Sequence, residues 1–437
     1  MIQTLKICKK YTKYKLFDAK VILQCRKINC LFYSSYDSVH TCKEKPQNLY
    51  RHLYSKILAC GPITIADYMR EVLTHPSAGY YMNKDVFGKT GDFTTSPEIT
   101  QLFGEMVAVW IIHEKIRISK SPFQIIELGP GRGTLIKDIL RVFKQLRVLN
   151  DLSVHLVEIS PALSLIQAKN LCKIIKEHNI ETNESESNSI TYYREGITED
   201  NVKIYWYHDI KDVPKEFSIF VAHEFFDALP IHKFQKTDKG WNEVLVDIIE
   251  GSNEEKFRFV LSNKPTPATL YIPRDEKRDH VEVSPQSLLT VEYIAQYLTE
   301  WGGFALICDY GHNGDKSDTF RAFFQHKIHD PLLHPGTADL TADVDFKAIT
   351  EVAKKDNKLI TFGPVTQASF LKNLGIDVRL QILLKRASEE ERKHLESEYQ
   401  MIMDEDKMGR RFKVLSLFPS ILKCYFEKLP VSGFSNK

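Results

Sequence analysis

The decapeptide Ile125-Ile126-Glu127-Leu128-Gly129-Pro130-Gly131-Arg132-Gly133-Thr134 constrains this chain more than any other segment. A short apolar run ends in Glu-Leu, three glycines follow at alternate positions, and Leu135–Leu146 reads as an amphipathic helix. Strand, glycine loop and helix in that order form the entry unit of a doubly wound α/β sheet. Glycine permits the tight turn and lets a ligand approach the backbone closely. The helix behind offers unpaired amides to polar groups. Two cofactor classes compete for such a loop. A dinucleotide site wants G-x-G-x-x-G with its pyrophosphate at the helix start. Here the glycines stand at 129, 131 and 133, and position 134 is Thr, a G-x-G-x-G spacing that favours S-adenosylmethionine.

The rest of the chain fits that unit. Val154–Glu158, Ile204–His208, Ser218–Ala222 and Phe304–Asp309 are further strand-like runs, with Ser160-Pro161 and 287–300 starting or forming helices between them. Strands alternating with helices predict a mostly parallel, Rossmann-like sheet. Two runs within 244–261 flank Gly251-Ser252-Asn253 and read as a hairpin insert. Upstream, 48–75 is helical in two pieces broken at Gly61-Pro62, and a Gly- and Thr-rich loop spans Phe87–Thr95. Ser96, as N-cap before Pro97, opens a helix whose buried face carries Ile99, Leu102, Phe103, Met106 and Trp110. Residues 178–200 are polar and acidic and predict a surface loop, and 385–411 alternate in charge as an exposed helix would. The expected organisation is a leader over 1–47, an N-terminal helical region over 48–122 with a loop at Gly91 and Asp92 closing over the cofactor, and a methyltransferase domain with insertions over 123–437.

Ligands of such sheets bind beyond the carboxyl ends of the strands. Glu127, Glu158 and Asp209 end or follow three successive strands. Glu158 can accept from both ribose hydroxyls and Asp209 from an adenine amino group, although Asp209 serves equally well as a helix cap. The next strand ends in His223-Glu224-Phe225-Phe226-Asp227. Two carboxylates beside two aromatic rings make a cation pocket. Its ordinary alternative is loop hydrogen bonding for the acids and packing for His223, Phe225 and Phe226.

Hydrophobic content of 43%, charged content of 27% and a net charge of +2 describe an ordinary globular chain and offer no basic surplus for nucleic acid. No apolar run reaches the roughly 18 to 20 residues that span a bilayer. The first 36 residues carry Lys6, Lys9, Lys10, Lys13, Lys15, Lys20, Arg26 and Lys27 against one acid, Asp18, interleaved with apolar residues, which is the composition of an organelle transit peptide. The eight cysteines include no metal-type spacing, so no metal is expected.

Further motifs carry a resemblance. Phe87-Gly88-Lys89-Thr90-Gly91-Asp92-Phe93-Thr94-Thr95-Ser96-Pro97-Glu98 with Phe103-Gly104-Glu105, the glycine loop, His223–Pro230, Asp309-Tyr310-Gly311-His312 and Gly336–Asp345 together resemble the MidA-like family, from about residue 48 to the C-terminus. The resemblance, to a mitochondrial member, implies a class I methyltransferase fold with an added insert. It also implies symmetric dimethylation of an arginine on a core subunit of respiratory complex I, in the mitochondrial matrix and in support of complex assembly. In this reading Glu224 and Asp227 clamp the guanidinium, where other arginine methyltransferases use two glutamates. Asp309, His312, Asp343 and Phe225 are expected to touch the substrate, with Asp309 or His312 taking the released proton. The alternatives are a methyltransferase for a small molecule or another residue type, a non-catalytic assembly chaperone, and a dehydrogenase, which the glycine spacing disfavours.

Overall fold

The computed structural model describes residues 49–82, 85, 94–178, 190–249, 251 and 256–434. The leader and the expected cofactor-closing residues Gly91 and Asp92 lie outside the described residues.

Ten strands form the central sheet: β1 (Phe123–Leu128), β2 (Leu152–Val157), β3 (Ile174–Glu177), β4 (Arg194–Ile197), β5 (Lys203–Tyr207), β6 (Ser218–His223), β7 (Gly303–His312), β8 (Val344–Asp345), β9 (Leu359–Thr366) and β10 (Phe412–Pro419). Their order is β9-β10-β7-β6-β1-β2-β5-β4-β3, with β8 beside β7. The core run β7-β6-β1-β2-β5 is parallel throughout. Antiparallel pairing is confined to the two flanks: β10 with β7 and β9, and β4 with β5 and β3. Every residue of β1 and β6 is buried, as a parallel strand covered on both faces requires. Alternate residues feed separate cores. Ile125, Val154, Ile219, Val221 and Leu306 join the helical face built on Gln101–Ile118 and Thr134–Gln145. Ile126, Phe220, Ala222 and Ile307 pack against Pro285–Trp301 and Phe346–Lys354. Strand order reverses between β1 and β6, so the crevice beyond their carboxyl ends is the switch point where such folds bind ligands.

A second body supports a third core. The helices Leu49–Cys60 and Ile65–Thr74 cover a sheet of Ile63–Thr64, His232–Thr237, Gly240–Ile248, Phe257–Leu261 and His280–Val283. The two strands expected within 244–261, Gly240–Ile248 and Phe257–Leu261, pair antiparallel, as a hairpin should. A three-stranded sheet of Arg321–Phe324, Lys327–His329 and Asp339–Thr341 completes it. The stretch 48–122 is therefore divided: its first two helices belong with this insert and its last helix packs on the central sheet.

Three local expectations change. Thr95, not Ser96, holds the N-cap position, and Ser96 is the first helical residue. The helix stops at Ile99, Thr100 adopts an extended conformation, and a new helix starts at Gln101 with the Thr100 hydroxyl accepting from the Leu102 amide. The polar stretch 178–200 is not all loop, because β4 occupies Arg194–Ile197. Its inward positions are Arg194, which bonds Ser164 and Glu177, and Gly196, where a Cβ would lie 2.4 Å from Cys172 Sγ. Neither gives the apolar alternation that betrays a strand. The charged stretch 385–411 splits into helices Glu389–Met403 and Met408–Arg411, with Ile402 buried.

Candidate active site

The glycine loop lies at the switch point. Among the described residues its crevice is lined by Glu127, Gly129, Gly131, Arg132, His223 and Glu224, with Thr95, Pro97 and Glu98 as the opposite wall. Gly129 has φ +60°, and a Cβ there would stand 2.9 Å from the Phe225 ring, so conformation and contact both demand glycine. Glu98 accepts from the Thr134 hydroxyl and lies 3.5 Å from Arg132, holding the loop from the far side. Burial pushes the Glu127 carboxyl up to about 8. Its Oε2 has no hydrogen-bond partner among the described residues, although the residue is 3% exposed. A buried acceptor left unmet marks a place where a ligand donor belongs.

Glu158 follows β2. Its Oε1 accepts from the Ser160 amide at 2.7 Å and its Oε2 from Gln167 Nε2 at 2.9 Å. Gln167 also donates to the Gly131 carbonyl at 2.7 Å and accepts from Trp206 Nε1. This fully buried glutamine joins the loop to Glu158, and nothing local in the sequence announced it. Burial raises Glu158 to about 7. A carboxylate has about four lone-pair directions, so the donors from Ser160, Ile159 and Gln167 do not exhaust its acceptor capacity. Asp209 is exposed and caps the turn Ile210–Asp212 through the Lys211 amide, away from the residues that line the crevice.

Beyond β6 the chain turns sharply. Glu224 has φ +49°, a left-handed conformation that a glutamate adopts only under constraint. The constraint is visible: its amide donates to the Cys308 carbonyl, and its Oε1 accepts from the Ser96 amide at 3.3 Å. Burial and the nearby Asp227 carboxylate hold Glu224 well above the usual carboxylate range. Asp227 Oδ2 accepts from the hydroxyls of Tyr310 and Thr341, whereas Oδ1 has no partner among the described residues. Its carboxyl is also raised by burial. His223 is neutral, pushed down to about 3 by burial. Its Nε2 stands 3.4 Å from Glu224 Oε1 without the alignment of a hydrogen bond.

The four expected substrate contacts fare differently. Asp309 is buried, and its Oδ2 accepts from the amides of Phe225, Phe226 and Asp227 at 3.0–3.3 Å. It anchors the turn that carries the carboxylate pair and faces no opening. His312 lies at the far end of β7. It accepts from the Gly314 amide and sits by Asp315 and Asp345, so it is a turn residue and not a neighbour of Glu224. Asp343 is occupied by Lys316 at 2.9 Å and Arg321 at 2.7 Å. Phe225 presses on Gly129 and meets Phe226 edge to face at 5.3 Å, making it a wall of the glycine loop. The residues that do complete the pair are Tyr310, Thr341 and Arg321, whose guanidinium lies 5.2 Å from the Tyr310 ring and lowers Asp227.

Glu224 also opens into a broad cleft of about 1150 Å³. Its walls are the hairpin 321–329 on one side and the helix Glu389–Met403 with Met408, Arg411 and Phe412 on the other. The small crevice and the wide cleft thus share three lining residues, Glu98, Arg132 and Glu224.

Comparison with known proteins agrees with this geometry. The family model described as S-adenosyl-L-methionine-dependent methyltransferase matches residues 106–365. The protein named "Protein arginine methyltransferase NDUFAF7, mitochondrial" of Homo sapiens is 51% identical over 374 residues, 84% of this chain and 83% of that one. The Drosophila melanogaster homolog of that name is 47% identical over 393 residues, 89% of each chain. A crystal structure of a COG1565 superfamily member from Burkholderia thailandensis, bound to S-adenosyl-homocysteine, has a TM-score of 0.67 at 24% identity, covering 85% of this chain and 92% of that one. At that identity the likeness is one of fold.

Proposed function

Because this chain belongs to the family of S-adenosylmethionine-dependent methyltransferases that includes the mitochondrial protein arginine methyltransferases, we propose that it methylates a guanidino nitrogen of an arginine in another protein. The finer reading is symmetric dimethylation of a core subunit of respiratory complex I, in the mitochondrial matrix, in support of assembly. The names of the relatives, which are mitochondrial arginine methyltransferases, support the acceptor class and the compartment. The observation that carries the proposal is the carboxylate pair. Glu224 lines both the glycine-loop crevice and the broad cleft, and the buried Asp227 beside it keeps one oxygen uncommitted among the described residues.

The crevice fits the cofactor. Glu127 offers an unmet acceptor, Gly129 leaves no room for anything but backbone beside Phe225, and Glu158 keeps lone pairs for hydroxyls. Glu127, Gly129, Gly131, Gly133 and Glu158 would hold S-adenosylmethionine, which supplies an electrophilic methyl group. Asp209 belongs to that set only if its exposed carboxylate turns toward the adenine. The chain's own task is placement, with nitrogen and methyl about 3 to 3.5 Å apart. A guanidinium is charged at any physiological pH and nucleophilic only where its charge is drawn elsewhere. Bidentate contacts from Glu224 and Asp227 draw that charge onto the bound nitrogens and leave the third one free to attack. As the new N–C bond forms and the C–S bond breaks, that nitrogen sheds one proton. Glu224 holds the guanidinium as a carboxylate, and its raised proton affinity suits it to accept that proton as the methyl is transferred.

The test is mass spectrometry of arginine methylation on complex I subunits in cells with and without the protein, and with Glu224→Gln in its place. Methylation should vanish in the last two cases while the variant still binds the cofactor. Unchanged methylation without the protein would remove the proposal. Normal complex assembly with Glu224→Gln, in the absence of methylation, would favour the chaperone reading.

A further inference from the structure

Among the described residues, one group of histidine, cysteine and carboxylate side chains is close enough to share a metal ion, and it lies in the insert: His52, Glu71 and His75. One ring nitrogen of each histidine and one oxygen of Glu71 lie within 4.8 Å of one another. The chain reverses at Gly61-Pro62, which lays the start of Leu49–Cys60 beside the end of Ile65–Thr74. Glu71 and His75 stand about one helical turn apart and share a face, which His52 meets from the first helix. The two imidazoles pack edge to face at 4.9 Å, and His52 Nε2 stands 3.3 Å from Glu71 Oε2. Lys56 holds the other oxygen, Oε1, at 2.8 Å; this fixes Oε2 toward the imidazoles and sets one opposing charge beside them. The backbone under His75 is fixed as well. Its amide donates to the Glu71 carbonyl, its carbonyl accepts from the Ala78 and Gly79 amides, and a Cβ on Gly79 would lie 2.4 Å from the His75 nitrogen. All three side chains are half-buried and so remain within reach of an ion from solvent.

We infer that His52, Glu71 and His75 form a site for a divalent transition-metal ion of the zinc type, completed by water, that clamps the two helices of the insert together. The site is independent of the methyl-transfer reading. Two imidazoles and one carboxylate suit zinc and its neighbours, whereas magnesium and calcium take shells of oxygen. Bonds of about 2.0–2.2 Å at tetrahedral angles set ligand atoms about 3.3–3.4 Å apart. His52 Nε2 and Glu71 Oε2 already stand at that separation, and rotation of half-exposed side chains closes the remaining distance to His75. The Ser77 hydroxyl, 3.3 Å from His75 Nδ1, can accept a proton from that nitrogen while Nε2 takes the ion, the outer contact that orients a metal-bound imidazole. Cysteine spacing predicts no metal in this chain, and the site uses no cysteine.

Calorimetric titration of zinc into the full chain, stripped of metal by a chelator, tests the site. One equivalent should bind, and Glu71→Gln and His75→Ala should each weaken it by roughly tenfold or more. His113→Ala, which removes an exposed imidazole elsewhere, should leave it unchanged. Zinc should raise the Tm of the unaltered protein and not that of Glu71→Gln. Cobalt in the same place should give visible absorption bands that His75→Ala abolishes. Glu71→Gln keeps an acceptor for Lys56, so circular dichroism of the metal-free variant should match that of the unaltered protein. Should it not, His52→Gln, at the start of the first helix, makes the same test without touching the contact between Lys56 and Glu71. Zinc affinity equal across the unaltered protein and these variants overturns the inference and leaves His52, Lys56 and Glu71 as an ion-paired cluster only. Several equivalents binding without saturation, or magnesium binding as tightly as zinc, also overturns it.

Discussion

At the scale of single residues the site depends on acids kept out of their usual charge state. Glu127 is the clearest case, buried with one oxygen unmet and its carboxyl raised to about 8. Between the ordinary carboxylate range and pH 8 the native state keeps a proton that the unfolded chain has released, so stability falls as pH rises through that window. Glu127→Gln should remove this slope. Thermal melts across pH 5 to 9 should show a higher Tm for the variant at pH 8, little difference near pH 5, and weaker binding of S-adenosylmethionine by calorimetry. An unchanged Tm profile would mean that Glu127 is solvated in the free protein. Gly129 gives a second residue-level prediction. Gly129→Ala brings both an unfavourable φ and a clash with Phe225, and should weaken cofactor binding by tenfold or more. Adding Phe225→Ala relieves the clash alone, so equilibrium dialysis should find affinity recovered in part. Full recovery would leave the backbone no role.

Among the elements, one strand end governs the geometry of another. The turn after β6 has no ladder of its own and is held by Asp309 at the end of β7 through three amides. Asp309→Ala leaves those donors buried and unmet, at about 1–3 kcal/mol each before relaxation. The expected outcome is a clear loss of Tm with turnover reduced more than cofactor affinity, because the glycine loop is carried by β1 and not by β7. Equal losses in kcat and cofactor binding would show that the two strand ends move as one. The same dependence explains which site residues were legible beforehand. Gly129, Gly131, Gly133, Glu127 and Glu158 are local features of one strand–loop–helix unit and its neighbour. Asp309 was visible as a residue of interest but its role was not, since its partners lie more than eighty positions upstream. Gln167 left no signal, because a polar residue inside an otherwise amphipathic helix reads as surface until its partners are known.

On the scale of the whole molecule, the insert is a separate core laid beside the sheet. Tyr68, Phe234 and Phe257 are fully buried within it, and Thr341 and Arg321 reach from its small sheet to the carboxylate pair. Phe257→Ala should cost about 3–5 kcal/mol by cavity formation. Hydrogen exchange should then show Gly240–Ile248 and Arg321–Phe324 opening well before β1, β2 and β6, with methyl transfer impaired and cofactor binding largely kept. Uniform loss of protection across both bodies would show a single cooperative unit.

The chain alone determined the doubly wound sheet, the glycine loop and the choice of methyl donor over dinucleotide, because apolar periodicity and glycine spacing are short-range and repeat along the strand–helix units. Only the tertiary structure decided which acids face the opening. It turned Asp309 inward, tied up Asp343 in ion pairs on the cleft wall, moved His312 to another turn and left Glu224 at the cleft with Asp227 buried beside it. The physical reason is that a carboxylate's role is set by the donors and charges around it, and those arrive here from β7, the insert and the helix Gln101–Ile118 with its short preceding turn, far away in sequence.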